Sequence, residues 1–388
     1  MSLYWSSAHC GGAWVITGYE EVAWALRDPR FSVRRAARWI NSTRGESAGQ
    51  KQDPQRQQFK RLFSRSLLFL DARAHRRLRG VLTPWFKPGD LLARRASITA
   101  LAHRLIDDIV ADPQAARGFD FIARFARPLP ALVIARLMGL PERVPTQFID
   151  WAADLAAFIG SPTPEASQTG AAQQAMQNLG EFFGQTLAHP AELPPDCLLR
   201  GLLLAHADGQ LNRNELLAQC CTLFMAGYET TRNLLGNGLL ALLQHPQQWA
   251  ALQASQADAA ALRLAVREML RHDSPVQYTG RRLLQDLTLA GQTLRRGQLA
   301  ILHIGQANHD ARRFRDPQRF DIRRDEGMHL CFGQGPHVCL GAALTQLEAE
   351  IAFTALMQRL PTLTLAQAAP VWQDKAAYRA LDRLSVCF

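Results

Sequence analysis

The sequence predicts a mainly α-helical protein with small β-sheets, organised as one domain over residues 1–388. Apolar residues recur at helical spacing in several long segments. The β-favouring segments are short and lie only near the start and in the last third of the chain. No internal repeat or low-complexity linker divides the sequence, so a single domain is the simpler organisation.

The first half of the chain is expected to contain one short strand followed by helices. The apolar run 14–17 predicts the strand, and 19–26 predicts a helix that ends at Asp28-Pro29. The polar stretch 41–57, with its Gly, Ser and Gln residues, predicts a loop. Further helices are predicted at 74–86, at 97–110 and at 121–140, the last with a kink at Pro128 and Pro130, and a turn between helices is predicted at 161–167.

The second half is expected to combine a long central helix, a hairpin region and a final helix. Residues 212–244 form the long apolar helix, which is interrupted by polar residues near Glu229. A shorter helix is predicted at 262–272, β-hairpins at 287–304 with turns at Ala290-Gly291 and Arg296-Gly297, an irregular Arg-rich coil at 308–329, and the final helix at 340–360.

The chain is basic, with 44 Lys and Arg against 34 Asp and Glu and a formal charge of +10. No nucleic-acid motif accompanies this charge, so we expect arginines that pair with carboxylates rather than a nucleic-acid interface. No run of about 18 uncharged apolar residues occurs, which predicts no membrane span. The start lacks the pattern of a signal peptide, which favours a cytoplasmic protein.

Of the seven cysteines, Cys339 stands out, whereas the other six are interpreted as small buried residues. Cys339 lies in the segment FGQGPHVCLG, where Gly333 and Gly335 permit tight turns close to a flat ligand. The segment precedes a helix, whose N-terminus favours a thiolate. Iron–sulfur and structural zinc sites need several ligands at set spacings, which are missing here. A single thiolate suits haem.

FGQGPHVCLG resembles the haem-binding loop of the cytochrome P450 family, F-G-x-G-x-H-x-C-L-G. The alternative is a Gly-rich turn before a core helix with an incidental cysteine. The resemblance implies the cytochrome P450 fold, with haem b between a long central helix and the C-terminal Cys loop and helix. It implies the thiolate of Cys339 as the iron ligand. Phe332, Gly333, Gly341 and Ala226 are implied as further cofactor contacts.

The central helix contains AGYETT at residues 226–231, and its polar residues are unusual in an apolar helix. An acid beside an alcohol can relay protons, and a Thr hydroxyl can open the helix by bonding to the preceding turn. The family carries such a pair here, which implies Glu229 and Thr230 as the catalytic residues. The alternative is a solvated patch, although the apolar neighbours oppose it.

A structural network is implied by the E-x-x-R motif of Glu268 and Arg271. Glu229 and Arg232 have the same spacing, but only Glu268 lies where the family places its pair, before the hairpin region. The family completes the network with an arginine after F-D-I-x-R, which is Arg324 here.

Cations for the two haem propionates are implied by three further segments. DARAHRRLR at residues 71–79 resembles the family pattern D-x-x-x-H-x-x-L-R and gives His75 and Arg79. SPVQYTGR at residues 274–281 gives Arg281, with the adjacent Arg282 as an alternative. His337 in the Cys loop is the fourth candidate.

The resemblance implies a monomeric monooxygenase that inserts one oxygen atom from O₂ into an apolar small molecule, such as a natural product. The expected pocket residues are Leu223, Ala226, Val276, Tyr278, Ala380 and Leu381. No flavin or nicotinamide motif is present, which implies an acidic ferredoxin with its own reductase as electron donor. It would dock on Arg76, Arg77, Arg312, Arg313, Arg315 and Arg319. The alternatives are a peroxide-driven or non-oxygenating haem-thiolate enzyme and a non-enzymatic haem protein.

Overall fold

The computed structural model describes residues 2–9, 11–41, 43–45, 53–141, 146–255, 258–366 and 369–388. The α-helices are Tyr19–Arg27 (α1), Ala36–Asn41 (α2), Pro54–Phe63 (α3), Ala72–Leu82 (α4), Pro88–Ala93 (α5), Arg95–Val110 (α6), Pro128–Met138 (α7), Thr146–Gly160 (α8), Ala166–Ala188 (α9), Leu198–Ala207 (α10), Arg213–Gln244 (α11), Pro246–Ala254 (α12), Ala259–His272 (α13), Ile304–Ala307 (α14) and Ala342–Arg359 (α15). The strands are Leu3–Ser6 (β1), Ala13–Ile16 (β2), Phe31–Ser32 (β3), Phe119–Asp120 (β4), Thr279–Leu283 (β5), Leu287–Leu289 (β6), Gln292–Leu294 (β7), Leu299–Leu302 (β8), Thr364–Leu365 (β9), Val371–Trp372 (β10), Leu381–Arg383 (β11) and Ser385–Cys387 (β12).

Two compact units share the chain, and each is assembled from separate stretches. The first unit comprises Met1–Trp85, Ile134–Glu229 and Thr279–His303. The second comprises Phe86–Val133, Thr230–Tyr278 and Ile304–Phe388. The single domain expected from the sequence stays a prediction.

The first unit contains a five-stranded sheet in the order β1-β2-β8-β5-β3. Strand β2 runs parallel to β8, and the other neighbours are antiparallel. The hairpin β6-β7 turns at Ala290 and Gly291, both at positive φ, as the predicted two-residue turn requires. Helices α8 and α9 pack against each other. The sheet places β5, which carries Arg281, in its interior between β8 and β3.

The second unit is built around α15, which packs against α6 and α13. Nearly all of α15 from Leu344 to Met357 is buried, because apolar residues cover most of its circumference. A three-stranded sheet in the order β4-β12-β9 and the pair β10-β11 complete the unit. Helix α13 begins at the cap Asp258, which accepts a hydrogen bond from the amide of Ala260 at 2.8 Å. The cap fixes the start of the helix that carries Glu268 and Arg271.

Two local structures depart from the sequence expectation. Helix α3 begins inside the predicted loop 41–57, because Asp53 caps it and Pro54 occupies its first turn. Part of that loop lies outside the described residues. The predicted helix 121–140 starts as a π-helical turn at Ile122–Ala126 and becomes α-helical at Pro128. The amide of Arg127 bonds to the carbonyl of Ile122 at 2.8 Å, so the irregular hydrogen bonding lies just before the predicted kink.

No helix within the described ranges has the length and apolar character needed to cross a membrane. The long helix α11 contains Glu215, Glu229 and Arg232 within its span.

Glu348 is a fully buried carboxylic acid in the middle of α15. Its side chain is 1% exposed, and its Oε2 atom has no hydrogen-bond partner. Burial raises the pKa of this carboxyl well above its ordinary value. The folded protein therefore favours the protonated form of this carboxyl more than the unfolded chain does.

We expect Glu348→Gln to stabilise the protein increasingly as the pH rises. The pKa of Glu348 is higher in the folded protein than in the unfolded chain, so the free energy of unfolding of the wild type falls as the pH rises above the unfolded pKa. Glutamine does not titrate, so the variant does not lose stability in this way. Urea unfolding from about pH 5 to about pH 8 should show the variant gaining on the order of 1 kcal/mol per pH unit. The control Glu350→Gln, whose carboxylate pairs with Arg95 at 3.4 Å on the same helix, should show no such gain. A constant difference across the pH range would contradict a protonated Glu348.

Candidate active site: a thiolate loop and an acid–alcohol helix

The loop that carries Cys339 is shaped by two glycines. Gly333 and Gly335 have φ values of +69° and +72°, which side chains other than glycine rarely adopt. The amide of Cys339 donates a 2.7 Å hydrogen bond to the carbonyl of Phe332, which closes the loop. Cys339 is an exposed residue at the end of this loop.

Helix α15 begins three residues after the cysteine, at Ala342. The positive end of its dipole favours an anion at the loop, as the sequence predicted. A Cβ atom added to Gly341 would meet nothing within 4 Å, so this position borders open space. Leu344, Leu347 and Ile351 of the predicted apolar face are buried, whereas Leu340 is half-buried. The helix thus anchors the loop through its core face.

The remaining cysteines are less suited to bind a metal. Cys197, Cys220 and Cys221 are buried as expected, whereas Cys331 and Cys387 are only half-buried and Cys10 lies outside the described residues. Burial raises the pKa of the Cys331 thiol to about 12, and the nearby Cys339 raises it further. Cys331 therefore stays neutral beside the loop.

Helix α11 has one incompletely covered stripe. From Ala218 to Leu242, every side chain is buried except Leu223, Ala226, Gly227 and Thr230. Leu223, the adjacent pair Ala226 and Gly227, and Thr230 recur every three or four residues and therefore lie on one face of the helix. The stripe joins the predicted pocket residues Leu223 and Ala226 to the predicted catalytic Thr230. Glu229 is next to this stripe and is 1% exposed, which rejects the alternative of a solvated patch.

Gly227 permits a close approach to α7, because a Cβ atom there would lie 2.9 Å from the side chain of Ile134. The α-helix runs unbroken through residues 226–231. The opening of the helix through a bond from a Thr hydroxyl to the preceding turn stays a prediction.

The structure brings Glu268, Arg271 and Arg324 together. Arg271 binds Glu268 in a bidentate pair, with Nε–Oε2 and Nη2–Oε1 distances of 2.7 and 2.9 Å. The Nε atom of Arg324 lies 3.2 Å from Oε2 of Glu268. Arg271 also donates to the carbonyls of Asn308 and Pro317, at 2.9 and 2.8 Å. The buried carboxylate therefore fixes the irregular coil 308–329 to α13.

Arg281 is a buried cation in the first unit. Its Nη1 atom donates to the hydroxyl of Thr279 at 2.9 Å and to the carbonyl of Gly280 at 3.0 Å. Within the described part of the chain, Arg281 forms no ion pair. Burial lowers its pKa to about 10, and the nearby Arg35 lowers it further. A bound anion would offset this cost. The neighbouring Arg282 is exposed, which favours Arg281 as the propionate ligand.

The other predicted cations are His75 and Arg79 on α4 and His337 in the Cys loop. His75 is buried, whereas Arg79 and His337 are half-buried. Asp71, just before α4, accepts hydrogen bonds from the hydroxyl of Ser32 and from the amide of Val33. These contacts fix the start of the helix that positions His75 and Arg79 on one face.

Two predicted pocket segments meet within the second unit. Val276 pairs with Tyr378 in an antiparallel bridge, and the amide of Gln277 donates to the carbonyl of Ala377 at 2.8 Å. Ala380 and Leu381 follow directly and are buried. The structure therefore joins Val276 and Tyr278 to the strand region of Ala380 and Leu381.

Sequence reasoning missed several polar contacts of the second unit. Asn308 is fully buried and bonds to Ser274 at 2.8 Å and to the amide of Leu330 at 2.7 Å, just before the Cys loop. Residues 307–310 read A-N-H-D, which resembles the family segment A-N-x-D and was the available signal. The hydroxyls of Thr231 and Thr345 lie 3.3 Å apart, and no sequence motif indicated this contact.

A single exposed cysteine ahead of a helix N-terminus and an acid–alcohol pair on a long helix are features of haem-thiolate oxygenases. The sequence pattern of the family described as "Cytochrome P450" matches residues 146–375. The biotin biosynthesis cytochrome P450 of Bacillus subtilis (strain 168) is 36% identical over 97% of this chain and 90% of its own length. The cytochrome P450 monooxygenase PikC of Streptomyces venezuelae is 34% identical over 96% of this chain and 84% of its own.

Solved structures agree with these relatives. P450BioI, crystallised with an acyl carrier protein carrying hexadec-9Z-enoic acid, has a TM-score of 0.88 and 33% identity over 100% of this chain and 95% of that one. The myxobacterial CYP267B1, in complex with myristic acid, has a TM-score of 0.86 and 31% identity over 100% of this chain and 93% of that one. The chain belongs to the cytochrome P450 family, which confirms the predicted fold and enzyme class.

The residues present fit the haem-thiolate cofactor that the family implies. Cys339 offers one exposed sulfur, and the position of Gly341 borders open space that a flat ring requires. Arg281 is a buried cation whose described hydrogen bonds all go to neutral oxygens, which suits a carboxylate ligand. Taken one by one, Cys339 is chemically suited to ligate iron and Arg281 is chemically suited to bind a carboxylate.

Proposed function

We propose that this cytochrome P450 inserts one oxygen atom from O₂ into an apolar small molecule, with haem b as its cofactor. The proposal depends on the stripe of α11, where apolar Leu223 and Ala226 continue into Thr230 beside the buried Glu229. An apolar surface that ends in an alcohol and an acid suits a substrate next to a proton relay.

Haem supplies the oxygen chemistry when bound, and the overall reaction converts RH, O₂, two electrons and two protons into ROH and water. The thiolate of Cys339 would hold the iron. His75, Arg79, Arg281 and His337 would bind the propionates, and Phe332, Gly333, Gly341 and Ala226 would contact the ring. The hydroxyl of Thr230 would hold a proton for delivery at the haem site, and the carboxyl of Glu229 would resupply the proton that Thr230 passes on. The apolar stripe would keep water from the reacting carbon.

We expect Thr230→Ala to uncouple electron use from product formation. Without the hydroxyl, proton delivery is no longer directed, so NADH is consumed and hydrogen peroxide is released. Product formed per NADH should fall roughly ten-fold, in a reconstituted assay that measures NADH, peroxide and product together. Thr222→Ala is the matched control, since Thr222 lies on the same helix and donates to the carbonyl of Ala218 at 2.6 Å. Unchanged coupling in Thr230→Ala would reject the relay.

The buried Glu229 beside Thr230 favours an oxygenase over the peroxide-driven or non-oxygenating alternative. Turnover with NADH, a ferredoxin and its reductase supports the proposal, whereas turnover with hydrogen peroxide alone supports the alternative. A non-enzymatic haem protein would give product in neither assay.

The electron donor is proposed to be an acidic ferredoxin. Several of the predicted docking arginines, however, form ion pairs with acidic residues of this chain. Arg77 pairs with Glu215 at 2.5 Å, and Arg312 pairs with Asp310 at 2.6 Å. These acids neutralise part of the predicted positive surface. The sequence alone did not indicate which arginines form ion pairs. Arg76 is exposed on α4 and is the better candidate for docking.

We expect Arg76→Glu to slow reduction by an acidic ferredoxin and to weaken its dependence on salt. Removing a docking cation lowers the rate of electrostatically guided association, and salt screens what is left. Stopped-flow reduction at two ionic strengths measures both effects. Arg61→Glu, on the exposed face of α3, makes the same charge change elsewhere and should have a smaller effect. Equal rates for the two variants would reject docking at Arg76.

An acyl chain is one candidate for the apolar substrate. Two of the similar structures hold fatty acyl ligands, one of them bound to an acyl carrier protein. Another relative is named polyketide biosynthesis cytochrome P450 PksS, of Bacillus subtilis (strain 168), which keeps natural products as a second class. A monomer and a cytoplasmic location stay predictions from the sequence.

A further inference from the structure

Arg232 is a buried arginine on α11, immediately after the two threonines. Its side chain is 5% exposed, and its Nη2 atom donates a 2.6 Å hydrogen bond to the backbone carbonyl of Leu381. Its Nη1 atom donates to Oδ1 of Asn233 at 3.1 Å. Burying a guanidinium group is costly unless it forms good hydrogen bonds, and charge-assisted bonds are the strong ones. Arg232 directs such a bond at the backbone of β11.

Asn237 makes a second bond of the same kind. Its Nδ2 atom donates to the carbonyl of Arg379 at 2.9 Å. Five helical residues rise by about 7.5 Å, and two extended residues span about 6.8 Å. The donors Arg232 and Asn237 therefore match the carbonyls of Leu381 and Arg379 in spacing. The helix therefore bonds to this backbone at two carbonyls, those of Leu381 and Arg379.

Gly236 of the helix lies beside this segment. A Cβ atom at Gly236 would lie 3.5 Å from the side chain of Leu381, an ordinary van der Waals distance, and 2.6 Å from the side chain of Ile122, which is the neighbour that requires glycine. The side chain of Arg379 is also held, because it pairs with Asp273 at 3.1 Å and its guanidinium lies 3.4 Å from the ring centroid of Trp372. Residues 379–381 are thus held through their backbone by α11 and through the side chain of Arg379.

We propose that Arg232 is a positioning residue that determines substrate specificity by clamping residues 379–381 to α11. The inference depends on the proposed function, because Ala380 and Leu381 matter for specificity only if they line the substrate pocket. The clamp gives Arg232 a role distinct from the Glu268–Arg271 network, although both arginines follow a glutamate at the same spacing. When residues 379–381 are held in place, ligands large enough to contact them bind more tightly, and the affinity for small ligands does not change.

Hydrogen–deuterium exchange of Arg232→Met tests the clamp directly. Methionine keeps the apolar stem but cannot donate a hydrogen bond, so amides in 379–384 should exchange about ten-fold faster, while those of α15 stay unchanged. Arg232→Gln, too short to reach the Leu381 carbonyl, repeats the test if Arg232→Met does not fold. Arg200→Met is the control, because Arg200 on α10 also donates a hydrogen bond to a backbone carbonyl, that of Leu193, at 3.1 Å. Exchange equal to wild type in 379–384 would overturn the clamp.

Azole binding tests the specificity. Imidazole and phenylimidazole both ligate haem iron and shift its Soret band, but only phenylimidazole extends into a pocket. Arg232→Met should weaken phenylimidazole about five-fold and leave imidazole unchanged. Faster exchange with an unchanged ratio of the two affinities would overturn the role in specificity. Hydrogen–deuterium exchange can be measured without haem. A protein that binds no haem would therefore refute the proposed function, and the exchange experiment would still test the clamp.

Discussion

Cys339→Ser is expected to abolish the carbon monoxide band at about 450 nm and to bring monooxygenase turnover below detection. A serine hydroxyl at the same position does not supply the anionic sulfur that pushes electron density onto the iron. The loop itself should survive, because its turns depend on Gly333, Gly335 and the Cys339 amide bond to Phe332 rather than on the sulfur. Far-UV circular dichroism should therefore match wild type.

Two other cysteines serve as controls for this substitution. Cys387→Ser changes a half-buried thiol in β12 and should leave the band intact. Cys331→Ser changes the thiol next to the loop, whose raised pKa keeps it neutral, and should also retain the band. If the carbon monoxide band disappeared in Cys331→Ser and remained in Cys339→Ser, the assignment of Cys339 as the iron ligand would be wrong.

Arg271→Met is expected to destabilise the protein by about 3–5 kcal/mol, the cost of leaving a buried charge without its partner. Glu268 would retain only Arg324 and the amide of Asp321, while the carbonyls of Asn308 and Pro317 would lose a donor. The coil 308–329 leads into the Cys loop, so haem incorporation should fall with stability. Urea unfolding and the haem content of the purified variant measure the two effects.

Arg267→Met provides the control on the same helix. Arg267 pairs with Asp325 at 3.6 Å, and the carboxylate is 70% exposed, so its loss should cost below about 1 kcal/mol. Arg271→Met and Glu268→Gln should be strongly non-additive in the double variant, because the two residues form one unit. Arg271→Met as stable as Arg267→Met would mean that the trio does not support the fold.

The sequence was sufficient for the long elements, because their apolar periodicity continues over many turns. The limits of α11 and α15 differ from the predicted ones by only one or two residues. Helix α3 was not predicted, because its cap Asp53 and its first turns lie in a polar stretch typical of a loop. The strand β5 was not predicted, since its burial comes from its neighbours β8 and β3 rather than from an apolar run.

Sequence motifs identified the loop and the Glu268–Arg271–Arg324 trio because each follows a local spacing rule. They could not distinguish arginines that neutralise neighbouring acids from arginines that are available to a partner. Arg77 and Arg312 illustrate this limit. The fold brings Arg77 to Glu215, and the side-chain rotamers of Arg312 and Asp310 bring these two nearby residues together. The clamp of Arg232 on Leu381 joins residues 149 positions apart, which no local pattern encodes.

The absorption spectrum of the purified wild-type protein, reduced and exposed to carbon monoxide, is the most direct test of the central claim. A Soret band near about 450 nm would show that haem is bound and that a thiolate, assigned to Cys339, ligates the iron. A protein without haem would contradict the claim entirely. A band near about 420 nm would keep the haem but reject the thiolate ligand.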